Sequence, residues 1–163
     1  MEEGKKEISE KSARGKKSRA DGQKFEIKVR QDLEELGWIV SKWVNTIDYE
    51  KNKVIPAKRK YNPFSKVLTI GTGFPDFVCF KRNSDGNYEV IGLEVKTNGY
   101  LDQIEKGMCF WLLENKIFSR ILIAKKPKKV KEMDRKSISP AIKSLEEGKI
   151  EYIDFEKKYG KKE

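Results

Sequence analysis

Two short strand-like segments joined by a glycine turn constrain the fold of this chain more than any other feature. The first, residues 77–80, is an apolar run that follows the turn sequence Gly73-Phe74-Pro75-Asp76 and has the length of a buried strand. The second, residues 88–96, is rich in β-branched residues, and Asp85-Gly86 between the two segments is a common hairpin sequence. The pattern predicts two adjacent antiparallel strands.

Charged residues stand at corresponding ends of these two strands. Asp76 lies at the mouth of the first strand, and Glu94 and Lys96 lie near the end of the second. Because side chains alternate across a strand, Glu94 and Lys96 share one face, whereas Leu93 and Val95 point into the core. An acid after proline is common in turns, and a Glu-x-Lys pair is usually a solvated strand face. Together, on neighbouring strands, they predict a functional site.

This arrangement suits a hard metal ion. Mg²⁺ takes one or two carboxylates and keeps water for its other positions, so Asp76 and Glu94 are candidate ligands, with the Val95 carbonyl as a third. The metal would polarise a phosphate and lower the pKa of a bound water. Lys96 would orient that water or deprotonate it, the latter only if its own pKa is depressed. The prediction is a phosphodiester-cutting site that uses Mg²⁺, with Mn²⁺ as a substitute.

Pro75-Asp76 and Glu94-Val95-Lys96 resemble the motif of the PD-(D/E)XK nuclease superfamily. The segment Gly22-Gln23-Lys24-Phe25-Glu26 resembles the first helix of archaeal Holliday junction resolvases, which implies that Glu26 is a third acidic member of the site. Residues 97–103 resemble the virus-type replication-repair nuclease module, which implies a role for Gln103.

The resemblance covers roughly residues 20–125 and departs from the family in a longer hairpin between the acids and in a basic insert before the first acid. It implies a restriction-endonuclease-like fold and cleavage of branched DNA such as a four-way junction. Because a junction resolvase cuts two strands symmetrically, it also implies a homodimer.

Apolar periodicity independently predicts a helix from about residue 20 to 36, with one stripe formed by Phe25, Val29, Leu33 and Leu36. Asp21 is the expected cap of this helix. From the residues alone, pairing with Arg30 four positions later is the ordinary explanation of Glu26.

The charge balance favours a nucleic-acid partner. The chain has 36 Lys and Arg against 26 Asp and Glu, a formal charge of +10, and such an excess binds phosphate backbones in a salt-dependent way. Charge enrichment also occurs in proteins of hot or saline habitats, where its cause is different. The predicted DNA-binding residues come from two basic clusters: Lys16, Lys17, Arg19, Lys58, Arg59 and Lys60.

The chain of 163 residues is expected to form one α/β domain, a mixed β-sheet flanked by helices, over residues 20–156. Residues 1–19 are expected to be a basic disordered arm or a frayed helix, and residues 157–163 a basic tail. The basic insert, residues 45–64, combines lysines with Tyr49, Tyr61 and Phe64. It is interpreted as a loop, interrupted by prolines, whose aromatics either stack on bases or anchor the loop to the sheet.

The elements expected after the lysine strand are an amphipathic helix over residues 104–118, a strand over 120–124, a short helix over 141–145 and a strand over 150–155.

Several function classes are excluded or disfavoured. The chain has no histidine, which removes Ser-His-Asp triads and histidine-ligated zinc sites. Cys79 and Cys109 are expected to be buried free thiols. The absence of a glycine-rich phosphate loop predicts no nucleotide cofactor. No membrane span or secretory signal is recognised, so an intracellular, cytoplasmic protein without a membrane partner is expected.

The leading hypothesis is therefore a Mg²⁺-dependent DNA endonuclease of recombination or repair. Two alternatives stay open: a non-catalytic nucleic-acid-binding module on the same fold, and a restriction-type or single-strand-specific nuclease of viral or plasmid replication.

Overall fold

A computed structural model describes residues 2–58, 60–62, 67–69, 73–127 and 149–160. Over these residues the chain forms a single α/β domain. Its elements, in chain order, are α1 (Glu2–Glu35), β1 (Ile39–Lys42), β2 (Asn45–Asp48), β3 (Lys53–Pro56), β4 (Lys60–Asn62), β5 (Val67–Thr69), β6 (Phe77–Arg82), β7 (Tyr88–Val95), α2 (Gln103–Glu114), β8 (Arg120–Lys125), β9 (Glu151–Asp154) and α3 (Phe155–Tyr159).

The central sheet has five strands in the order β1-β6-β7-β8-β9. The β6–β7 hairpin is antiparallel with Phe77 opposite Leu93, as predicted. Its turn places Gly86 at a φ of 85°, a conformation that favours glycine. Strands β7 and β8 are parallel, and α2 connects them. The other neighbouring pairs are antiparallel, so the sheet is mixed, as expected.

Both faces of the sheet are covered. On one face, the stripe of α1 formed by Phe25, Val29 and Leu33 packs against inward residues of β6 and β7, including Cys79 and Leu93. On the other face, α2 contributes a second cluster. Because the charged face predicted for β7 lies on this second side, Glu94 is buried rather than on a solvated surface.

Helix α1 begins earlier than predicted. It runs from Glu2 rather than from about residue 20, so the expectation that Asp21 caps its start is wrong. Residues 2–19 contain no proline and many good helix formers, which allows the helix to continue towards the N-terminus. The frayed-helix alternative is thus nearer to the structure than a disordered arm.

The C-terminal end of α1 differs from the prediction at one residue. Leu36 was expected to complete the apolar stripe, but it is 56% exposed. The helix ends at Glu35, and Gly37 has a φ of 82°, so the chain turns away before Leu36 can reach the core.

The insert is more regular than predicted. Instead of an irregular loop it contains the β2–β3 hairpin and the start of a second hairpin, β4–β5. Pro56 stands at the end of β3, where a missing N–H interrupts little of the ladder. Tyr49 lies near the first hairpin turn and is 56% exposed. Phe64 lies outside the described residues.

The elements after β7 follow the prediction with small shifts. Helix α2 ends at Glu114, and Phe118 is buried although it lies beyond the helix. Strand β9 ends at Asp154, which caps α3. The helix expected over residues 141–145 lies outside the described residues. Cys79 and Cys109 are buried free thiols, as expected. Among the helices in the described ranges, none has the length and apolar character needed to cross a membrane.

Candidate active site

The backbone holds Asp76 and Glu94 together. Because Phe77 pairs with Leu93, the residue before β6 faces the residue that follows Leu93 in β7. The Asp76 N–H donates to Glu94 Oε2 at 3.1 Å, and the Val95 N–H donates to Asp76 Oδ2 at 3.0 Å. Each acid is therefore fixed by a main-chain donor of the neighbouring segment, and the predicted adjacency of the two acids is confirmed.

Gly73 brings the turn before Asp76 close to the rest of the chain. A Cβ at this position would lie 2.6 Å from Trp43 O and from the backbone N and O of Asn45. Only glycine allows this approach of two backbones. The Phe74 N–H donates to Asn45 O at 3.0 Å, and the Trp43 N–H donates to Asp76 O at 3.1 Å. The turn is thus attached on both sides of Pro75.

Burial sets the charge properties of the two acids. Glu94 is 5% exposed, and burial together with the negative charge of Asp76 raises the pKa of Glu94 to about 8. Burial also raises the pKa of Asp76, and Glu26 adds to the increase. Two neighbouring carboxylates, one buried and the other largely shielded from solvent, resist full ionisation, and a cation bound between them would relieve that cost.

Lys96 lies beside Glu94, as predicted, but it is paired twice. Its Nζ is 3.2 Å from Glu94 Oε1 and also forms a close ion pair with Glu105. Burial lowers the pKa of Lys96, but the hydrogen bond to Glu105 and the charge of Glu94 outweigh it, so the pKa is raised on balance. Of the two roles expected for Lys96, orienting a water therefore fits this geometry and deprotonating it does not.

Glu105 is a site residue that the sequence reasoning missed. It lies in the first turn of α2, where its N–H donates to Asp102 Oδ1 and its Oε2 accepts from the Asp102 N–H, at 2.8 and 2.9 Å. This reciprocal pair is a capping box, and Asp102-x-x-Glu105 is its sequence signature. Gln103, the predicted residue of this helix, begins α2 and is exposed.

Glu26 is linked to Asp76 by Lys42, the last residue of β1. Lys42 Nζ lies 2.8 Å from Glu26 Oε2 and 3.4 Å from Asp76 Oδ1. Arg30 pairs with Glu34 at 2.8 Å, so the ordinary i,i+4 explanation of Glu26 is wrong. Lys42 therefore connects Glu26 with Asp76 in the structure.

Lys42 was not predicted because its position depends on the pairing of β1 with β6. That register places Lys42 opposite Phe77, and its ammonium lies 4.6 Å from the centre of the Phe77 ring. Nothing in the local sequence Ser41-Lys42-Trp43 indicates a site.

The donor set fits a magnesium ion. Among the residues that the structure describes, no three Asp, Glu, Cys or His side chains are grouped so as to hold a metal. Mg²⁺ needs only one or two carboxylates with water at its other positions. Asp76 and Glu94 provide that number, and the Val95 peptide lies beside them. The buried Glu94 carboxylate, which accepts the Asp76 N–H and lies next to a second acid, favours a cation there.

The predicted DNA-binding residues are only partly described. Lys16, Lys17 and Arg19 are exposed on α1, and Lys58 is exposed after β3. Arg59 lies outside the described residues, and Lys60 lies in β4. The three cations of α1 are thus accessible to a polyanion from solvent.

No protein-family model, curated protein or solved structure matches the chain.

Proposed function

We propose that the protein is a divalent-metal-dependent nuclease that hydrolyses phosphodiester bonds in DNA. One observation carries the proposal: the buried Glu94 accepts a hydrogen bond from the Asp76 N–H, Asp76 accepts one from the Val95 N–H, and the charged Lys96 lies beside Glu94. Two neighbouring carboxylates that are shielded from water cost free energy when no cation is bound to them. Hard cations such as Mg²⁺ bind carboxylate oxygens of this kind. The net charge of +10 supports a nucleic-acid substrate.

The residues have distinct roles in this proposal. Asp76 and Glu94 would hold Mg²⁺ or Mn²⁺, with the Val95 carbonyl as a further ligand. The metal would supply Lewis-acid stabilisation of the phosphate and a water of lowered pKa. Lys96, held by Glu105, would donate a hydrogen bond that orients the attacking water or the phosphate. Glu26 would act on Asp76 through Lys42, and Gln103 would have at most a peripheral role on substrate.

The arrangement of elements supports a restriction-endonuclease-like fold as the finer description of the α/β domain. A helix covers one face, a hairpin carries both acids, and a parallel strand follows through α2. By resemblance, the proposal extends to a branched DNA substrate cut by a homodimer during recombination or repair in the cytoplasm.

A non-catalytic DNA-binding module is the second candidate, and one observation favours it. Lys42 and Lys96 already compensate the acids in the free protein, through three ion pairs to Glu26, Asp76 and Glu94. A site whose acids already pair with lysines can be structural. The two candidates differ in whether removing an acid changes cleavage or only stability.

Cleavage of four DNA forms tests the proposal: labelled four-way junction, flap, duplex and single-stranded DNA, each with Mg²⁺ and with chelator. Metal-dependent symmetric cuts confined to the junction would support a resolvase. Cuts in other forms would support a nuclease of restriction or single-strand type. Tight binding of all forms without cleavage in Mg²⁺ or Mn²⁺ would contradict the nuclease proposal and leave the binding module.

A further inference from the structure

Lys42 is a cation of the site that no motif accounts for. It comes from the edge strand β1, yet its ammonium lies between Glu26 and Asp76, at 2.8 and 3.4 Å. Lys96 contacts Glu94 and Glu105 instead. The two lysines therefore divide the acids of the site between them, and Lys42 serves the Asp76 side.

The position of Lys42 conflicts with metal binding. Asp76 Oδ2 already accepts the Val95 N–H, so Oδ1 is the oxygen of Asp76 that lacks a main-chain donor, and Lys42 contacts that oxygen. An ammonium at a carboxylate oxygen lowers the attraction of that oxygen for a second cation and repels the cation directly. The contact is the longer of the two that Lys42 makes, so it is the weaker one.

The surroundings give Lys42 room to move. Its side chain is 41% exposed, and it borders an open cleft of about 410 Å³ between α1 and the sheet. Glu26 borders the same cleft. Lys42 can thus leave Asp76 while it keeps its bond to Glu26. The cleft is lined by Gln23, Glu26, Ile27, Arg30, Lys42 and Phe77.

We propose that Lys42 is a resident counter-cation of the site: it occupies Asp76 in the free protein, and a divalent metal ion must displace it towards Glu26 and the cleft. The proposal rests on the proposed function, since it assumes that Asp76 binds a metal. It gives Glu26 a specific task, which is to hold the displaced ammonium beside the site. Lys42 is accordingly a positioning residue that sets the metal affinity.

Mn²⁺ binding to the full-length protein without DNA tests this inference, measured by calorimetry or by the electron paramagnetic resonance of free Mn²⁺. Lys42→Met keeps an unbranched side chain of similar size and removes the charge that lies 4.6 Å from the centre of the Phe77 ring. It is expected to bind Mn²⁺ roughly three- to fivefold more tightly than the wild type, which corresponds to the upper part of the range for one partly exposed charge interaction. Lys42→Arg, which keeps a cation, is expected to stay within about twofold of the wild type.

Lys81→Met is the matched control, because it also replaces a lysine by methionine. Lys81 lies near the end of β6 that is farther from Asp76. Lys81 donates to Leu36 O and has no contact with the acids. Its Mn²⁺ affinity is expected to stay near that of the wild type. Equal affinities for Lys42→Met and Lys81→Met would overturn the inference, and so would weaker binding by Lys42→Met. Thermal unfolding of each variant shows whether it is folded.

The assay separates the inference from the proposed function. If the wild type binds no Mn²⁺, or if Asp76→Asn binds it as tightly as the wild type, the metal site itself is contradicted. If the wild type binds Mn²⁺ through Asp76 and Lys42→Met does not differ from it, only the role of Lys42 is contradicted.

Discussion

At the scale of single residues, the burial of Glu94 is the feature with the largest chemical consequence. Its carboxylate accepts a hydrogen bond from the Asp76 N–H and forms an ion pair with Lys96. Burial nevertheless raises its pKa to about 8, far above the ordinary value of 4.5. The free protein therefore favours the protonated form of this acid near neutral pH. A bound cation would reverse that preference, because it stabilises the ionised form.

The raised pKa predicts how stability depends on pH. Between pH 4.5 and about 8 the folded state holds a proton on Glu94 that the unfolded state has released, so stability falls as pH rises through this window. Glu94→Gln, which mimics the protonated acid, is expected to flatten the fall and to melt several degrees higher than the wild type at pH 8. Thermal unfolding without metal from pH 5 to 8 measures this. Exposed Glu114→Gln is the control, and a Glu94→Gln slope equal to that of the wild type would contradict the account.

At the scale of elements, the first turn of α2 connects helix stability with the site. Glu105 closes the capping box with Asp102 through one oxygen and holds Lys96 with the other. The helix start thus fixes the direction of the Lys96 ammonium. Glu105 both caps the helix and holds Lys96, whereas Asp102 only caps the helix, so substitutions of the two residues distinguish the two effects.

Two substitutions make that separation. Asp102→Ala removes the cap alone, so it is expected to cost about 1 kcal/mol of unfolding free energy, or roughly 2–4 °C, with little change in cleavage rate. Glu105→Ala removes the cap and also releases Lys96, so it is expected to lower the cleavage rate by about tenfold or more in addition. Melting curves and single-turnover rates measure both effects. Equal rates for the two variants would show that Glu105 does not position Lys96.

Elements also show what the sequence could and could not predict. The β6–β7 hairpin was predictable because its strands, its turn and its acids are local in the chain, and the Asp76–Glu94 contact follows from the register. Lys42 was not predictable, since its contact with Asp76, 34 residues later in the chain, depends on the pairing of β1 with β6. The capping-box pattern Asp102-x-x-Glu105 is visible in the sequence, but it predicts the start of a helix and not a role in a functional site. The prediction that Leu36 belongs to the apolar stripe was wrong because the glycine turn at Gly37 ends the helix before the periodic pattern does.

At the scale of the whole molecule, the net charge of +10 sets the expected mode of DNA binding. Lys16, Lys17 and Arg19 are exposed on the part of α1 that precedes its core contacts at Phe25, Val29 and Leu33. A helix holds these cations in a fixed order, which a disordered arm would not. Contacts of this kind release counterions and add affinity without reading sequence.

Neutralising the three α1 cations together tests this surface. The triple variant Lys16→Gln, Lys17→Gln, Arg19→Gln is expected to bind duplex DNA more weakly, with a slope of log affinity against log salt that is smaller by about 2–3, because each lost phosphate contact removes about 0.9. Fluorescence anisotropy at several salt concentrations measures it. The control Lys81→Gln, Arg82→Gln, Lys116→Gln removes the same charge elsewhere. Indistinguishable slopes for the two triple variants would exclude α1 from the interface.

The central claim, metal-dependent cleavage by the Asp76–Glu94 pair, is tested most directly by comparing Mg²⁺-dependent cleavage by the wild type, Asp76→Asn and Asp85→Asn. Asp76→Asn keeps the shape and the acceptor for the Val95 N–H, whereas Asp85→Asn makes the same change in the exposed turn of the same hairpin. The account predicts cleavage by the wild type and Asp85→Asn, and a rate lower by at least about 100-fold for Asp76→Asn, with DNA binding retained. Cleavage by Asp76→Asn at the wild-type rate would contradict it.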